Sequence, residues 1–459
     1  MKKYILIILC CLTSFPLWSY NVNMIVEHYS VDQGLPNNTV NCTLKDRDGF
    51  IWFGTWYGLC CFDGVKFKTF NKQEHDSDVP PRKIQRIVED KNGYIWVKTI
   101  DRKLYVFNKV TECFHAVYDD MKNYSENIQV IKLQNTAEGD VLLLTKDKNL
   151  LLAGVDEKGQ VTIKILFDSR DEINKHDYTL KHHVLCETEE YISWIGTDYK
   201  VSAVHKGAEL ASRPADFITS KINSGDKDSF TSFFEDGRKV WVGDRAGIFY
   251  SIDVRTGLVN RYVLSEIKGA ISNLLVTPAG YVYLSVAGQG TYEYDLAERR
   301  LQKINTEMND AMVTHAFIDQ YDKIWFHENE KALIYYDPLN HTAKRFPFTM
   351  FGKITTLYSE DAGERGLFFL SPAGEAWLFD REHAEMVYIN KLKQLSNDRA
   401  NQQFYHLMLD NDGVLWLSSA DEGVYCMNFP KKQFNLLSLS PQSAGQENYC
   451  LLYTSPSPR

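Results

Sequence analysis

Val40-Asn-Cys-Thr-Leu-Lys-Asp-Arg-Asp-Gly-Phe-Ile-Trp-Phe-Gly-Thr55, followed by Gly58-Leu-Cys-Cys-Phe-Asp-Gly64 and Lys66-Phe-Lys-Thr-Phe70, decides the fold. The stretch is four short runs rich in aromatic and β-branched residues, separated by turn residues. Between the first two runs, Asp46-x-x-Gly49 pairs a side-chain acceptor with a residue tolerant of positive φ, the signal of a tight hairpin. Gly54-Thr-Trp-Tyr-Gly58 marks the next hairpin. Phe50-Ile-Trp-Phe53 is apolar on successive residues, so both faces of that strand must be covered.

The pattern recurs in Ile84–Asp90, Gly93–Val97 and Leu104–Phe107, and then along nearly the whole chain. Anchored on Trp52 or its stand-in, the copies fall at Trp96, Leu142, Trp194, Trp241, Tyr283, Trp325, Phe368 and Trp416, with steps of 42 to 52 residues. Asp46, Asp90, Asp319 and Asp410 stand six residues before their anchors, and Gly49, Gly93, Gly139, Gly280 and Gly413 stand three before. A four-stranded antiparallel unit with both faces covered, at a period of ~40–45 residues, is a propeller blade. The anchor side chain is expected to pack between adjacent blades. No segment sustains the 3.6-residue periodicity of a helical repeat.

Composition agrees. The 459 residues are 44% hydrophobic and 13% aromatic, more than a single ~150-residue domain needs and rich in strand formers. A formal charge of −9 gives no electrostatic reason to expect nucleic acid or an anionic membrane as partner. Residues 1–20 read as a signal peptide: Lys2 and Lys3 precede a short apolar run, Ile5–Leu12, with Ser19 and Tyr20 at the expected cleavage point. Cys10 and Cys11 invite a lipoprotein reading, but Leu9 stands where lipid attachment wants a small residue. The later cysteines, at 42, 60, 61, 113, 186, 426 and 450, are odd in number and lack C-x-x-C spacing, so they read as small buried strand residues.

The run Gly34-Leu-Pro-Asn-Asn-Thr-Val40, leading into Asp46-x-x-Gly49-x-Ile-Trp-Phe-Gly-Thr55 and Gly58-Leu59, resembles the two-component regulator propeller repeat. It is most similar to the periplasmic sensor region of hybrid two-component systems from glycan-degrading bacteria. The resemblance covers roughly residues 22 to 440, strongly at the first, second and ninth copies. It implies two seven-bladed propellers, a β-sandwich, a transmembrane helix, a histidine kinase and a response-regulator region. This chain carries nine copies and no Asp-x-Gly-x-Gly nucleotide box, so it reads as a truncated piece of such a sensor. The implied function is oligosaccharide sensing that regulates glycan utilisation, with no enzyme activity or cofactor in this part. The implied location is the periplasm, as a homodimer in the full-length protein, with membrane contact only through a downstream segment. A secreted propeller glycosidase or lyase, or a protein-binding scaffold, is the alternative.

The expected fold is all-β: a seven-bladed propeller over residues 21–338, then about two blades of a second over 339–447. Met24–Ser30 aligns with the fourth-strand run Lys66–Phe70, so it is expected to complete the seventh blade, with Thr342–Phe348 opening the second propeller. Residues 448–459, with prolines at 456 and 458, read as a foreign tail or a Pro-Ser linker cut short.

Chemical motifs are few. Asp46-Arg-Asp-Gly49 and Asp410-Asn-Asp-Gly413 open like calcium loops but lack the closing Glu. His182-His183 with Glu187, Glu189 and Glu190 reads as a polar loop, since adjacent strand residues face opposite ways. Gly288-Gln-Gly290 reads as a hairpin turn. Turns between second and third strands should share one rim with the links between blades. That rim gathers the candidate ligand contacts Asn37, Asn38, Trp56, Tyr57, Asp101, Arg102, Asp198, Tyr199, Asp244, Arg245, Gln289, His327 and Glu328. The types suit sugars, because aromatic faces stack on C–H surfaces and planar polar groups pair with hydroxyls.

Overall fold

The computed structural model describes residues 25–70, 81–122, 129–147, 149–167, 185–188, 190–195, 201–207, 215–216, 230–304, 313–328, 331–351, 358–361, 363, 366–371, 375–391 and 404–428. The signal segment, the tail, His182, His183, Glu189, Asp198 and Tyr199 lie outside these residues.

The described residues form nine four-stranded antiparallel sheets. Sheet 1 is Val40–Lys45, Ile51–Thr55, Gly58–Phe62 and Phe67–Phe70; sheet 2 is Ile84–Glu89, Ile95–Thr99, Leu104–Asn108 and Cys113–Ala116. Sheets 3 to 8 repeat the plan, with first strands beginning at Val130, Leu185, Phe230, Ile271, Val313 and Tyr358. Sheet 9 is Phe404–Leu409, Val414–Ser419, Val424–Asn428 and, at its outer edge, Ile25–Tyr29. The one described α-helix is the single turn Tyr118–Met121. Every residue of Ile51–Thr55 and Gly58–Phe62 is buried, as the unbroken apolar runs required.

First strands of adjoining sheets approach one another and form the inner edge, while fourth strands such as Arg300–Lys303 lie largely exposed. Sheets meet face to face through apolar seams, and the anchors fill them. Trp52 packs against Ile84 and Ile95, Trp96 against Val130 and Val141, and Leu142 against Ile192 and Val204. Trp241, Tyr283, Trp325 and Phe368 do the same one sheet further on each time. Trp416 of sheet 9 packs against Val40 and Ile51 of sheet 1, which makes the cycle continuous. Full burial of each such side chain contributes about 1.5–3 kcal/mol, so the seams dominate the stability.

Closure corrects one expectation. Ile25–Tyr29 does occupy a fourth-strand position, but beside Val424–Asn428 of sheet 9, from Ile25↔Asn428 to Tyr29↔Val424. Sheet 7 supplies its own fourth strand, because Thr342–Pro347 folds straight back on Ala332–Asp337. The boundary expected at residue 338 therefore falls inside a hairpin. Its turn is held locally: Asp337 Oδ1 accepts the Leu339 N–H at 3.0 Å, and His341 takes φ +51°. A strand a few residues away pairs at little loop-closure cost, ahead of one more than 300 residues distant.

Candidate functional site

The two rims of the cycle differ in chemistry. On the rim of the first hairpins, the repeated aspartate is fully engaged. Asp46 Oδ1 accepts the N–H groups of Asp48 at 3.0 Å and Phe50 at 2.8 Å, while Oδ2 accepts the Trp52 indole N–H at 2.8 Å. Asp90 with Trp96, Asp319 with Trp325 and Asp410 with Trp416 repeat the arrangement at 2.8, 3.2 and 3.2 Å. Six residues is the separation that lets one carboxylate close the turn and cap the seam indole. A cation from the following sheet completes it: Lys109 on Asp46, Arg381 on Asp319 and Lys45 on Asp410. Where the anchor is Leu142 or Tyr283, Thr136 or Thr277 replaces the aspartate, and its hydroxyl accepts the turn N–H alone.

Asp46, Asp48 and Glu89 bring three carboxylates together as a metal site would. Lys109 Nζ sits among them, 3.1, 2.6 and 2.8 Å away. Burial lowers the lysine's proton affinity, but the three carboxylates outweigh it and push the Lys109 pKa up. The ammonium takes the place a cation would occupy. Glu187 of the polar-loop cluster is likewise paired, with Lys206 at 2.6 Å. Burial pushes the Cys42, Cys60, Cys61 and Cys426 thiols up to about 12, so these are inert packing groups.

The opposite rim carries the second-to-third turns and the links between sheets, joined by a chain of backbone hydrogen bonds. Gly423 N–H donates to Asn38 O at 2.8 Å, Trp56 N–H to Thr39 O at 3.2 Å and Lys83 N–H to Trp56 O at 3.0 Å. Ile100 N–H then donates to Lys83 O at 2.9 Å and Val130 N–H to Arg102 O at 2.9 Å. Asn37, Asn38, Trp56, Tyr57, Asp101 and Arg102 thus share one built surface across sheets 9, 1 and 2.

Their freedom differs. Trp56 and Tyr57 are 44% and 60% exposed, with Lys83 Nζ 5.2 Å from the Trp56 ring centroid. Asn37 and Asn38 each lend Oδ1 to a backbone N–H, of Thr39 and Val31, both at 2.9 Å. Asp101 is held by Thr99 and Lys103; burial opposes its ionisation, but these bonds win and keep its carboxyl below the usual range. Beside it opens a cleft of ≈ 330 Å³ lined by Asp101, Arg102, Lys103, Tyr105, Tyr118 and Gln129 among others. Tyr105, Tyr118 and Gln129 are residues the sequence reading missed; Tyr118 lies in a link between sheets, where its aromatic ring was the available signal.

Most of the remaining described candidates serve the scaffold. Asp244 is buried and closes its own turn, accepting the Ala246 and Ile248 N–H groups at 2.8 Å, and burial raises its pKa. Glu328 is buried against Arg345 of its own sheet at 2.9 Å. Gln289 ties its turn to the preceding link through Lys268 N–H at 2.7 Å and Glu266 O at 3.1 Å. His327 meets Thr314 at 2.9 Å, and burial lowers its pKa. Arg245 is exposed, beyond the buried Asp244.

This is the architecture of a β-propeller assembled from blade repeats. Residues 34–57 match the family described as Two component regulator propeller, so the chain carries that repeat. Its fold is similar to an extracellular domain named for a hybrid two component system of B. thetaiotaomicron, at 14% identity over 87% of this chain and 66% of that one, with a TM-score of 0.37. A further structure is an extracellular domain named for a one component system of the same organism. Identity there is 14% over 86% of this chain and 65% of that one, with a TM-score of 0.38. The chain thus spans 65% of that domain's length. It is also similar to the Dos1 propeller (11% identity, 88% and 93% covered, TM-score 0.45). Virginiamycin B lyase from Staphylococcus aureus is another (8%, 89% and 100%, TM-score 0.34). No curated protein matches the chain. Among the described residues no helix is long and apolar enough to cross a membrane.

Proposed function

We propose that this chain is the extracytoplasmic ligand-sensing part of a hybrid two-component sensor. It recognises an oligosaccharide on the rim of sheets 9, 1 and 2 and signals to a histidine kinase elsewhere in the full-length protein. The observation that carries the reading is the exposed pair Trp56 and Tyr57, which shares the rim with the Asp101–Tyr118 cleft. Large aromatic faces left in water beside amides and charged groups are the surface a sugar ring needs. Export by the N-terminal segment places it in the periplasm, and the homodimer implied by the sensor resemblance supplies the output. The ligand must bind one dimer arrangement better than the other to shift their populations.

A glycosidase or lyase reading draws less support. Two of the rim carboxylates, Asp244 and Glu328, are buried and engaged, and so are unsuited to the paired acid and base that glycoside hydrolysis uses.

The test is calorimetric titration of a panel of oligosaccharides into the chain and into its Trp56→Ala, Tyr57→Ala double variant. Loss of aromatic anchors costs about 2 kcal/mol or more, over tenfold in Kd. Unchanged affinity in a folded variant removes this surface from the site.

A further inference from the structure

Between this rim and the inner edge, positive groups gather with no counter-ion among the described residues. Arg86, on the first strand of sheet 2, stands opposite Lys98 in register, just past a β-bulge between Ile84 and Arg86. Such bulges re-aim side chains at functional edges. Lys98 is 7% exposed, and its Nζ donates to Gln85 Oε1 at 2.9 Å and to Ile131 O of sheet 3 at 2.6 Å, both neutral acceptors. Arg102 lies on the turn that follows the Lys98 strand, in the left-handed region at φ +68°. Among the described residues none of the three forms an ion pair with a carboxylate. Asp101, on the Arg102 turn, is taken by Thr99 and Lys103.

Sheet 9 adds His406, whose Nδ1 is buried with no hydrogen-bond partner among the described residues. Its position just past the bulge between Phe404 and His406 is the counterpart of Arg86. Arg86's charge acts on Lys98, on His406 and on the Cys42 thiol between them, so the guanidinium lies within electrostatic reach of all three. Burial, then Arg102 and Arg86, bring the Lys98 ammonium down to about 8. A buried lysine surrounded by like charge is an arrangement that a bound anion relieves.

We propose that Arg86, Lys98 and Arg102, all carried by sheet 2, form an anion-binding subsite at the inner edge of the cycle, which takes the carboxylate or sulfate group of an acidic sugar. The inference rests on the sugar-binding reading above and names its ligand class. Arg102 belongs to both the cleft and this cluster, so a sugar in the cleft can turn its acidic group inward. Arginine forks match carboxylate and sulfate oxygens in two parallel bonds.

The test titrates three probes into the full chain: a glucuronate-containing disaccharide, its neutral glucose counterpart, and inorganic sulfate. The glucuronate disaccharide is expected to bind at least tenfold more tightly than the neutral one, and added salt to shrink the gap. Arg86→Gln, at an exposed residue with no partner to orphan among the described residues, is expected to weaken acidic-sugar binding by roughly tenfold and leave the neutral sugar unchanged. Arg86→Lys is expected to recover part of the loss. Equal affinity for acidic and neutral sugars, or indifference to Arg86→Gln in a folded protein, overturns the subsite while leaving the sugar reading intact. Sulfate binding lost in Arg86→Gln, with neither disaccharide bound, assigns the cluster to a free anion and overturns the acidic-sugar proposal together with the sugar reading.

Discussion

The rim of the first hairpins and the rim of the second-to-third turns carry similar residue types and put them to different uses. On the first, Asp46 answers two backbone N–H groups, an indole and an ammonium at once. On the second, Trp56 and Tyr57 stand in water, and just inside it Arg86 and Lys98 meet no carboxylate among the described residues. The difference teaches that a cluster of charges marks a site only when its partners are missing. Saturated groups hold the fold, and unsaturated ones are available to a ligand.

The largest effect that would sharpen this contrast is expected from Asp46→Ala. It orphans the Trp52 indole, two turn N–H groups and the buried side of Lys109, and should cost about 3–5 kcal/mol, read as the denaturant midpoint. A cost under 1 kcal/mol would break the view that the first rim is structural.

Next comes His406, which burial and then Arg86 bring down to about 4 from its ordinary 6.5. The unfolded chain takes this proton as pH falls through 6.5, whereas the folded chain takes it only near 4. Stability from the neutral imidazole is therefore complete above about 6.5 and lost as pH drops toward 4, by about 2–3 kcal/mol. His406→Gln should flatten that part of the pH profile, and an unaltered profile would place the histidine in water.

A smaller loss is expected from Gly54→Ala. A Cβ there would lie 2.4 Å from Cys42 Sγ and 2.6 Å from Ile84 Cγ2, so overpacking of the seam between sheets 1 and 2 should cost about 1–3 kcal/mol. A neutral result would mean a looser seam than these contacts describe. The smallest effect belongs to Trp56→Ala and Tyr57→Ala, which should each change stability by about 0.5 kcal/mol or less because both side chains are exposed. A large loss would return them to the scaffold.

Much of this was legible in the sequence, for local reasons. The Asp-to-Trp spacing of six encodes one carboxylate closing a turn and capping an indole, and unbroken apolar second strands encode burial on both faces. Alternation of turns places Trp56 and Asp101 on one rim without any knowledge of packing. Sheet 5 hid its aspartate because a shorter turn moves it to Asp236, five residues before Trp241, although it still accepts the indole at 2.7 Å. Closure was illegible because strand periodicity says that Ile25–Tyr29 is a fourth strand but not which sheet lacks one. Asp244 and Glu328 misled because their partners, a turn of their own backbone and Arg345, depend on register. Arg102 was named, but its grouping with Arg86 and Lys98 escaped because a bulge and the cross-strand register within sheet 2 bring the three together, and neither has a one-residue signature.

Amide hydrogen exchange of the chain with and without a bound oligosaccharide tests the division of labour between the rims most directly. The account expects slowed exchange at Trp56–Tyr57, at Asp101–Lys103 and along Tyr118–Met121, with the Asp46–Gly49 and Asp410–Gly413 turns unchanged. Protection confined to the Asp-x-x-Gly turns, with the opposite rim unaffected, would contradict it.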